Sequence, residues 1–274
     1  AEIINFDSLL FYRELNIGTA KPSQEERNAV AHHLIDVSSA KSPLNASEFV
    51  QRAIPLIEEL RQKEVIPILV GGSAFYLRAL MKDMYKSPEP SSELKEEVQK
   101  ILDQQGPEAI REFLKQHDRE SYEAIHPNDQ YRLCRAYEHY RTTGRPLSRE
   151  RQRLEEQGPY DLDKNTRHNW PFIHLYLDIP KEEHYPIMEK RAQQMVEAGL
   201  VEEVQHLLNE SLSGEEKPLQ SIGYKETLKY LKGEIPEKEE LAQQIFIATR
   251  QLAKSQRTFF RKIRPKETFH PLQE

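Results

Sequence analysis

Cysteine is almost absent from this chain: Cys134 is the only one in 274 residues. A single cysteine excludes an internal disulfide and any zinc site built on cysteine pairs, and it suits a reducing cytosol. Long apolar runs are missing too. No stretch approaches the roughly 20 residues that cross a bilayer, and no signal peptide is visible. The chain has 10 glycines, and nowhere do they form the Gly-x-x-x-x-Gly-Lys-Ser/Thr loop that cradles phosphates. Internal repeats and low-complexity tracts are likewise lacking. What is there is a charge-rich chain, 31% charged against 37% hydrophobic, long enough for one large domain or two.

The net charge of -6 argues mildly against a nucleic-acid partner, but the charges are unevenly spread. From Arg250 to Lys266 there are seven basic residues and no acid: Arg250, Lys254, Arg257, Arg261, Lys262, Arg264 and Lys266. A second basic run holds Arg132, Arg135, Arg141, Arg145, Arg149, Arg151 and Arg153. Such asymmetry permits a polyanion on one face.

Hydrophobic periodicity divides the chain in three. Ile3, Ile4 and Phe6 form a short β-prone run, and a polar segment leads to a second strand over 33–37. An amphipathic helix over 47–63 places Phe49, Ala53, Leu56, Ile57 and Leu60 on one side. The apolar run 65–70 enters Gly71-Gly72-Ser73, and 74–81 reads as a helix. This β-α-β-α order predicts a mostly parallel sheet within 1–86. From 87 to 160 only helices are expected, over 93–104, 107–116, 119–125, 129–142 and 148–156. A strand over 171–178 resumes the core. Helices over 181–198, 201–212, 224–231 and 238–263 then fill out 161–274. The fold class is α/β, with an all-helical insert between two parts of the core.

Three constellations can carry chemistry. Asp7 and Ser8 fall where the first strand stops, and in open α/β sheets the carboxyl ends of strands form the ligand crevice. Taken alone, Asp7 reads as a turn or helix cap. Gly71-Gly72-Ser73 belongs to the same crevice and lets backbone approach a ligand closely. On the 129–142 helix, Arg132, Arg135 and His139 share a face by their i, i+3, i+7 spacing, while Leu133, Ala136, Tyr137 and Tyr140 pack the other side. Adjacent histidines such as His32 and His33 rarely converge on one ion, so no metal is assigned there.

Several motifs resemble one family in its own order. Asp7-Ser8, Tyr12 and Ile17-Gly-Thr-Ala-Lys-Pro22 are similar to the signature after the second strand of the tRNA dimethylallyltransferases (tRNA isopentenyltransferases). His126-Pro-Asn-Asp129 with Arg132 and Arg135 resembles that family's His-Pro-Asn hallmark. Arg191 four residues before Met195, then Gly199-Leu200, matches a third motif. Ser221–Glu226, and Ala248–Lys254 with Gln256 and Thr258, match the rest. The resemblance covers nearly the whole chain.

What it implies is specific. The fold would be a P-loop NTPase-like parallel core with a helical insert that grips the tRNA anticodon stem-loop. The reaction would move a dimethylallyl group from its diphosphate to N6 of the adenine 3′-adjacent to the anticodon. Asp7 would be the general base. Thr19 and Arg191 would contact the prenyl diphosphate, with Mg²⁺ as cofactor and a phosphate loop for nucleotide (ATP-type) phosphates. The tRNA would meet Asp7, Ser8, Leu9, Leu10 and Ser73, then Tyr131, Arg132, Leu133, Cys134 and Arg135. Further tRNA contacts would be Gly223, Tyr224, Lys225, Arg250, Lys254 and Arg257. A cytoplasmic monomer is expected.

The chain departs from the family in two places. Ser255 and Phe259 replace an arginine and a tryptophan of the last helix, and Arg257 is the residue expected to take over the phosphate that Ser255 cannot hold. The phosphate loop and its strand are missing. Their expected place is upstream of Ala1, because a core that starts at its second strand lacks a central pairing partner. Two other functions stay open: a nucleotide kinase-like phosphotransferase, and a non-catalytic tRNA-binding protein should the loop be truly absent.

Overall fold

The computed structural model describes residues 1–82, 88–156, 158, 160–162, 168, 170–210 and 212–272. They form two compact units, one of 1–81 with 167–274 and one of 82–166.

The first unit is built on parallel strands. β1 (Glu2–Asn5) pairs with β2 (His32–His33) on one side and β3 (Pro67–Val70) on the other. Ile3 lies opposite Ile68, and Asn5 opposite Val70. Parallel pairing demands crossovers, supplied by the helices between the strands. α1 (Gln24–Ala29) has no apolar periodicity to announce it: it buries nothing and is held by a Ser23–Glu26 capping box. α2 (Ala46–Gln62) is capped by Asn45 and buries Phe49, Ala53, Ile57 and Leu60 as its periodicity requires. α3 (Ala74–Met81) follows β3 and buries Tyr76, Leu77 and Leu80. Phe11, Phe49 and Tyr76 pack ring to ring at 5.2 to 5.9 Å, seating both helices against the 8–15 loop.

The second strand is shorter than the 33–37 expected. Leu34 and Asp36 both take φ of 60°, which ends the strand and turns Asp36 toward Lys21 and Arg27. The strand expected over 171–178 is also cut down, to β4 (Leu175–Leu177), which pairs in parallel with β5 (Glu267–Phe269). Pairing is the reason: only the three residues opposite β5 find ladder partners.

Four helices complete this unit, α9 (Lys181–Glu197), α10 (Leu200–Asn209), α11 (Tyr224–Leu231) and α12 (Lys238–Phe260). Their core includes Met188, Ala192, Leu200, Val204, Leu219, Tyr224, Leu241 and Ile245. α12 also ties the two sheets together. Gln256 Nε2 donates to Gly72 O at the end of β3, and Arg261 Nη2 bonds the Asp178 carboxylate just past β4. Five helical residues advance about 7.5 Å, more than the about 4.8 Å between paired strands. β3 and β4 each have one edge unpaired among the described residues. Ile66, Ile68, Val70, Leu175 and Leu177 are exposed, unusual in a parallel sheet.

The second unit is helical throughout its described elements: α4 (Ser92–Gln105), α5 (Pro107–His117), α6 (Arg119–Ala124), α7 (Gln130–Thr143) and α8 (Leu147–Glu156). Ile110, Leu114, Ile125, Leu133, Ala136 and Tyr137 make its core. Asp118 is buried and caps twice, accepting from Ser121 N and Ser148 N. Among the described residues no helix is long and apolar enough to cross a membrane.

His139 corrects the helical-face reading. It is buried beside Thr143, with Asp118 and Glu150 near, although it shares Arg132's azimuth on α7. His139 has Asp118 and Glu150 beside it whereas Arg132, two turns earlier on the same azimuth, is exposed, so burial changes along the helix as well as around it. Leu133 is fully buried and belongs to the core. Leu133→Ala should therefore cost the helical unit about 2–5 kcal/mol, read as a lower denaturant midpoint in a chemical melt.

Candidate functional site

The crevice forms where β1 and β3 end together. Phe6 N donates to Val70 O, and the next turn of each strand is then pressed against the other. A Cβ on Gly71 would sit 2.7 Å from Asp7 N and from Phe6 C; one on Gly72 would sit 2.2 Å from Gln256 Nε2. The first clash is with backbone, so Gly71 is required for Asp7 to lie where it does. Ser73 Oγ accepts from Ser8 N at 3.1 Å and pins the two exits together. Asn5, nearly fully buried, accepts from Asp7 N and donates to Asp7 O and Leu34 O. Asp7 Oδ1 accepts from Leu9 N at 2.9 Å in an Asx turn. Its Oδ2 has no hydrogen bond recorded among the described residues. One carboxylate oxygen thus orients the side chain and leaves the other as an uncommitted acceptor. Ser8, Leu9 and Leu10 are half-buried around it.

The Ile17–Pro22 loop is anchored by a residue that motif reading does not single out. Glu203 Oε2 accepts from Asn16 N and Ile17 N, while Oε1 accepts from Tyr224 OH at 2.7 Å. A Cβ on Gly18 would meet the Tyr224 ring at 2.5 Å. Tyr224 is fully buried and Gly223 is buried, so neither can touch an RNA; they hold the loop from behind. Burial, then the Glu203 charge, pushes the Tyr224 hydroxyl far up, so it remains a donor. Lys225 is exposed. Thr19 Oγ1 is bonded to Leu15 O and Asn16 O within the turn.

Beyond this loop lies an open cleft of 550 Å³ whose walls include Ile17, Ala20, Lys21, Arg27, Asp36, Arg191 and Met195. Arg191 is exposed at α9 and has no hydrogen bond or ion pair recorded among the described residues. Lys21 Nζ and Arg27 Nη1 both bond Asp36, and Lys21 also donates to Tyr12 O. Asp7 and Thr19 are not among the residues that line this cleft.

The last helix also differs from expectation. Arg250, Lys254 and Arg257 fall at i, i+4, i+7, but this stripe runs along α9, against which α12 packs. Arg250 lies 4.4 Å over the Tyr185 ring, and Lys254 is exposed. Both terminal nitrogens of Arg257 are buried, without hydrogen-bond partners. Arg257 therefore cannot reach an RNA phosphate. Nor does it compensate at position 255: Ser255 is exposed, and two residues later is about 200° around the helix.

Within the helical unit, Asp129 caps α7 by accepting from Arg132 N at 3.1 Å. Tyr131 and the Arg132 side chain are 69% and 67% exposed, while Arg135 is half-buried and bonded to Glu138. Cys134 is half-buried, and burial pushes its thiol up, away from reactivity. Among the described residues no group of three or more His, Cys, Asp or Glu could hold a metal ion.

A model of the family described as IPP transferase matches residues 10–263. The chain belongs to that family. The tRNA dimethylallyltransferase 1 of Trichlorobacter lovleyi is 39% identical over 95% of this chain and 82% of its own length. The tRNA dimethylallyltransferase of Koribacter versatilis is 37% identical over 95% and 81%. Among solved structures, the tRNA delta(2)-isopentenylpyrophosphate transferase of Staphylococcus epidermidis is 30% identical, with a TM-score of 0.64 over 98% of this chain and 84% of that one. A eukaryotic dimethylallyltransferase acting on tRNA is 24% identical with a TM-score of 0.77, covering 99% and 68%, a likeness of fold. The IPP transferase core is thus P-loop NTPase-like, and the nucleotide-kinase alternative is set aside.

Asp36 gives this IPP transferase a defined acid sensitivity. Burial pushes its carboxyl up, but bonds and charges from Lys21 and Arg27 outweigh that and hold it below the usual carboxylate range. A depressed folded-state pKa stabilises above the unfolded value and loses that contribution as pH falls through the folded one. Asp36→Asn should cost about 1–3 kcal/mol at neutral pH. The gap between parent and variant should close below about pH 4, checked by urea melts across pH.

Proposed function

We propose that the protein transfers a dimethylallyl group from dimethylallyl diphosphate to N6 of the adenine 3′-adjacent to the tRNA anticodon. The observation that carries this reading is Asp7: a carboxylate at a strand's carboxyl end, fixed by one oxygen, in a chain of the IPP transferase family. The N6 amine is a weak nucleophile because its lone pair is delocalised into the ring. As a bond forms from N6 to the allylic carbon, the carbon–oxygen bond to the diphosphate breaks, and Asp7 Oδ2 takes the N6 proton. Arg191, exposed and without a recorded partner, offers a planar fork to the departing diphosphate.

Mg²⁺ would be held chiefly by substrate phosphates, since among the described residues no cluster of His, Cys, Asp or Glu could hold it and the free oxygen of Asp7 is kept for the N6 proton. When bound, the ion would neutralise charge on the leaving group. The adenine must leave its stack to reach Asp7, the logic of base flipping. Tyr131, Arg132 and Arg135 form the proposed contact with the anticodon stem-loop, with Lys225 and Lys254 as further exposed cations. A cytoplasmic location fits the single free cysteine.

Asp7→Asn keeps shape and hydrogen bonding but cannot take a proton. Single-turnover prenyl transfer should fall about 10²-fold or more, with stem-loop affinity little changed; an undiminished rate would remove Asp7 from the mechanism. For the insert, Arg132→Ala/Arg135→Ala should weaken tRNA binding and lower the slope of affinity against salt by about one unit for each phosphate no longer neutralised. A slope equal to the parent's would exclude this surface as an RNA clamp.

A further inference from the structure

Asn5 spends its whole side chain on the surroundings of Asp7. It is the last residue of β1 and is nearly fully buried. Its Oδ1 accepts from Asp7 N at 2.8 Å, and its Nδ2 donates to Asp7 O at 3.1 Å and to Leu34 O at 3.0 Å. Both amide hydrogens are thus used, and both polar groups of the Asp7 main chain are held by one side chain. The ladder between β1 and β3 ends with the bond from Phe6 N to Val70 O. Main-chain groups past a ladder need another partner, and for Asp7 that partner is Asn5.

The third bond ties Asp7 to the neighbouring strand. Leu34, at φ of 60° just past β2, presents its carbonyl to the Asn5 amide. From there the two exits run side by side: Asp36 N donates to Leu10 O, Ser38 N to Phe11 O and Arg13 N to Ser38 O. Asn5 makes the first tie of that series. On the opposite side, Ser73 holds Ser8 N and the bare Gly71 lets β3 press against Asp7. Asp7 is therefore braced toward β2 by Asn5 and toward β3 by Gly71 and Ser73. Among side chains of this length only asparagine can accept once and donate twice. Aspartate would set carboxylate oxygens against two carbonyls, and an apolar residue would leave the Asp7 main chain unheld.

We propose that Asn5 is a positioning residue for the transfer reaction: its amide fixes the Asp7 main chain, and with it the place from which the carboxylate takes the N6 proton. This inference rests on the reading of Asp7 as the base. A base works only within about 2.6–3.2 Å of its proton, and a misplacement of about 1 Å can cost about a hundredfold in rate. The bond from Leu9 N orients the carboxylate on its own residue, while Asn5 sets the backbone that carries it. Asn5 itself touches no reacting atom.

A double-mutant cycle separates this role from plain stabilisation. Single-turnover prenyl transfer, at saturating tRNA and dimethylallyl diphosphate, is measured for the parent, Asn5→Ala, Asn5→Ser, Asp7→Asn and each Asn5 change combined with Asp7→Asn. Affinities for the diphosphate donor and the anticodon stem-loop are measured alongside. Asn5→Ala should slow transfer about tenfold to a hundredfold. Asn5→Ser should slow it less, because a hydroxyl still accepts from Asp7 N. Both affinities should be unchanged. In the Asp7→Asn background neither Asn5 change should slow transfer further, since no base remains to be placed. The proposal is overturned by a parent-like rate in Asn5→Ala, by the same loss in both backgrounds, or by a loss of donor affinity that accounts for the loss of rate. Asn5→Ser keeps a polar group, so the cycle can be closed even should Asn5→Ala fail to fold. A parent-like rate in Asp7→Asn would remove the base and this inference together, whereas equal losses in both backgrounds would remove Asn5 alone.

Discussion

The close approach of backbone at Gly71 is the constraint on which the rest depends. With no side chain there, the ends of β1 and β3 can touch, and that contact sets Asp7 at the rim of the crevice. Ser73 then locks the two exits, and Gln256 reaches across from α12 to the Gly72 carbonyl. Each link presupposes the previous one. A methyl group at position 71 would meet main chain, which cannot rotate away as a flexible side chain can.

The positive charges fall into three physical classes. Lys21 and Arg27 are structural, both bonded to one carboxylate, Asp36, and they shape the Ile17–Pro22 loop. Arg132, Lys225 and Lys254 are exposed to solvent and suit long-range attraction of a polyanion, which salt screens. Arg191 and Arg257 have no hydrogen-bond or ion-pair partner among the described residues; Arg191 is exposed, while Arg257 is half-buried with both terminal nitrogens out of solvent. A net charge of -6 conceals all of this, because a sum over the chain does not say which acids lie beside which cations.

Much of the fold is legible in the sequence, and the exceptions have physical causes. Helices with an apolar stripe, such as α2, α7 and α12, lie within a residue or three of where periodicity puts them. α1 escapes because capping holds it without burial. β2 and β4 are short because strand length is set by partners, which periodicity does not report. Asp7, Gly71, Gly72 and Ser73 stand out because strand ends and glycines are visible locally. Glu203 and Asn5 do not, since their roles rest on partners 186 and 29 residues away. Tyr224, Leu133 and Arg257 sit in motifs that point to the tRNA, yet side-chain direction turns each of them inward.

Asp7 is proposed to sit where a nucleobase amine is prenylated. The most direct measurement is mass spectrometry of anticodon-loop fragments after incubating the protein with tRNA and dimethylallyl diphosphate. One dimethylallyl group per modified tRNA is expected, on the adenine 3′-adjacent to the anticodon, with pyrophosphate released in equal amount. A prenyl group on any other nucleotide, or a loop left unmodified while pyrophosphate is released, would contradict it.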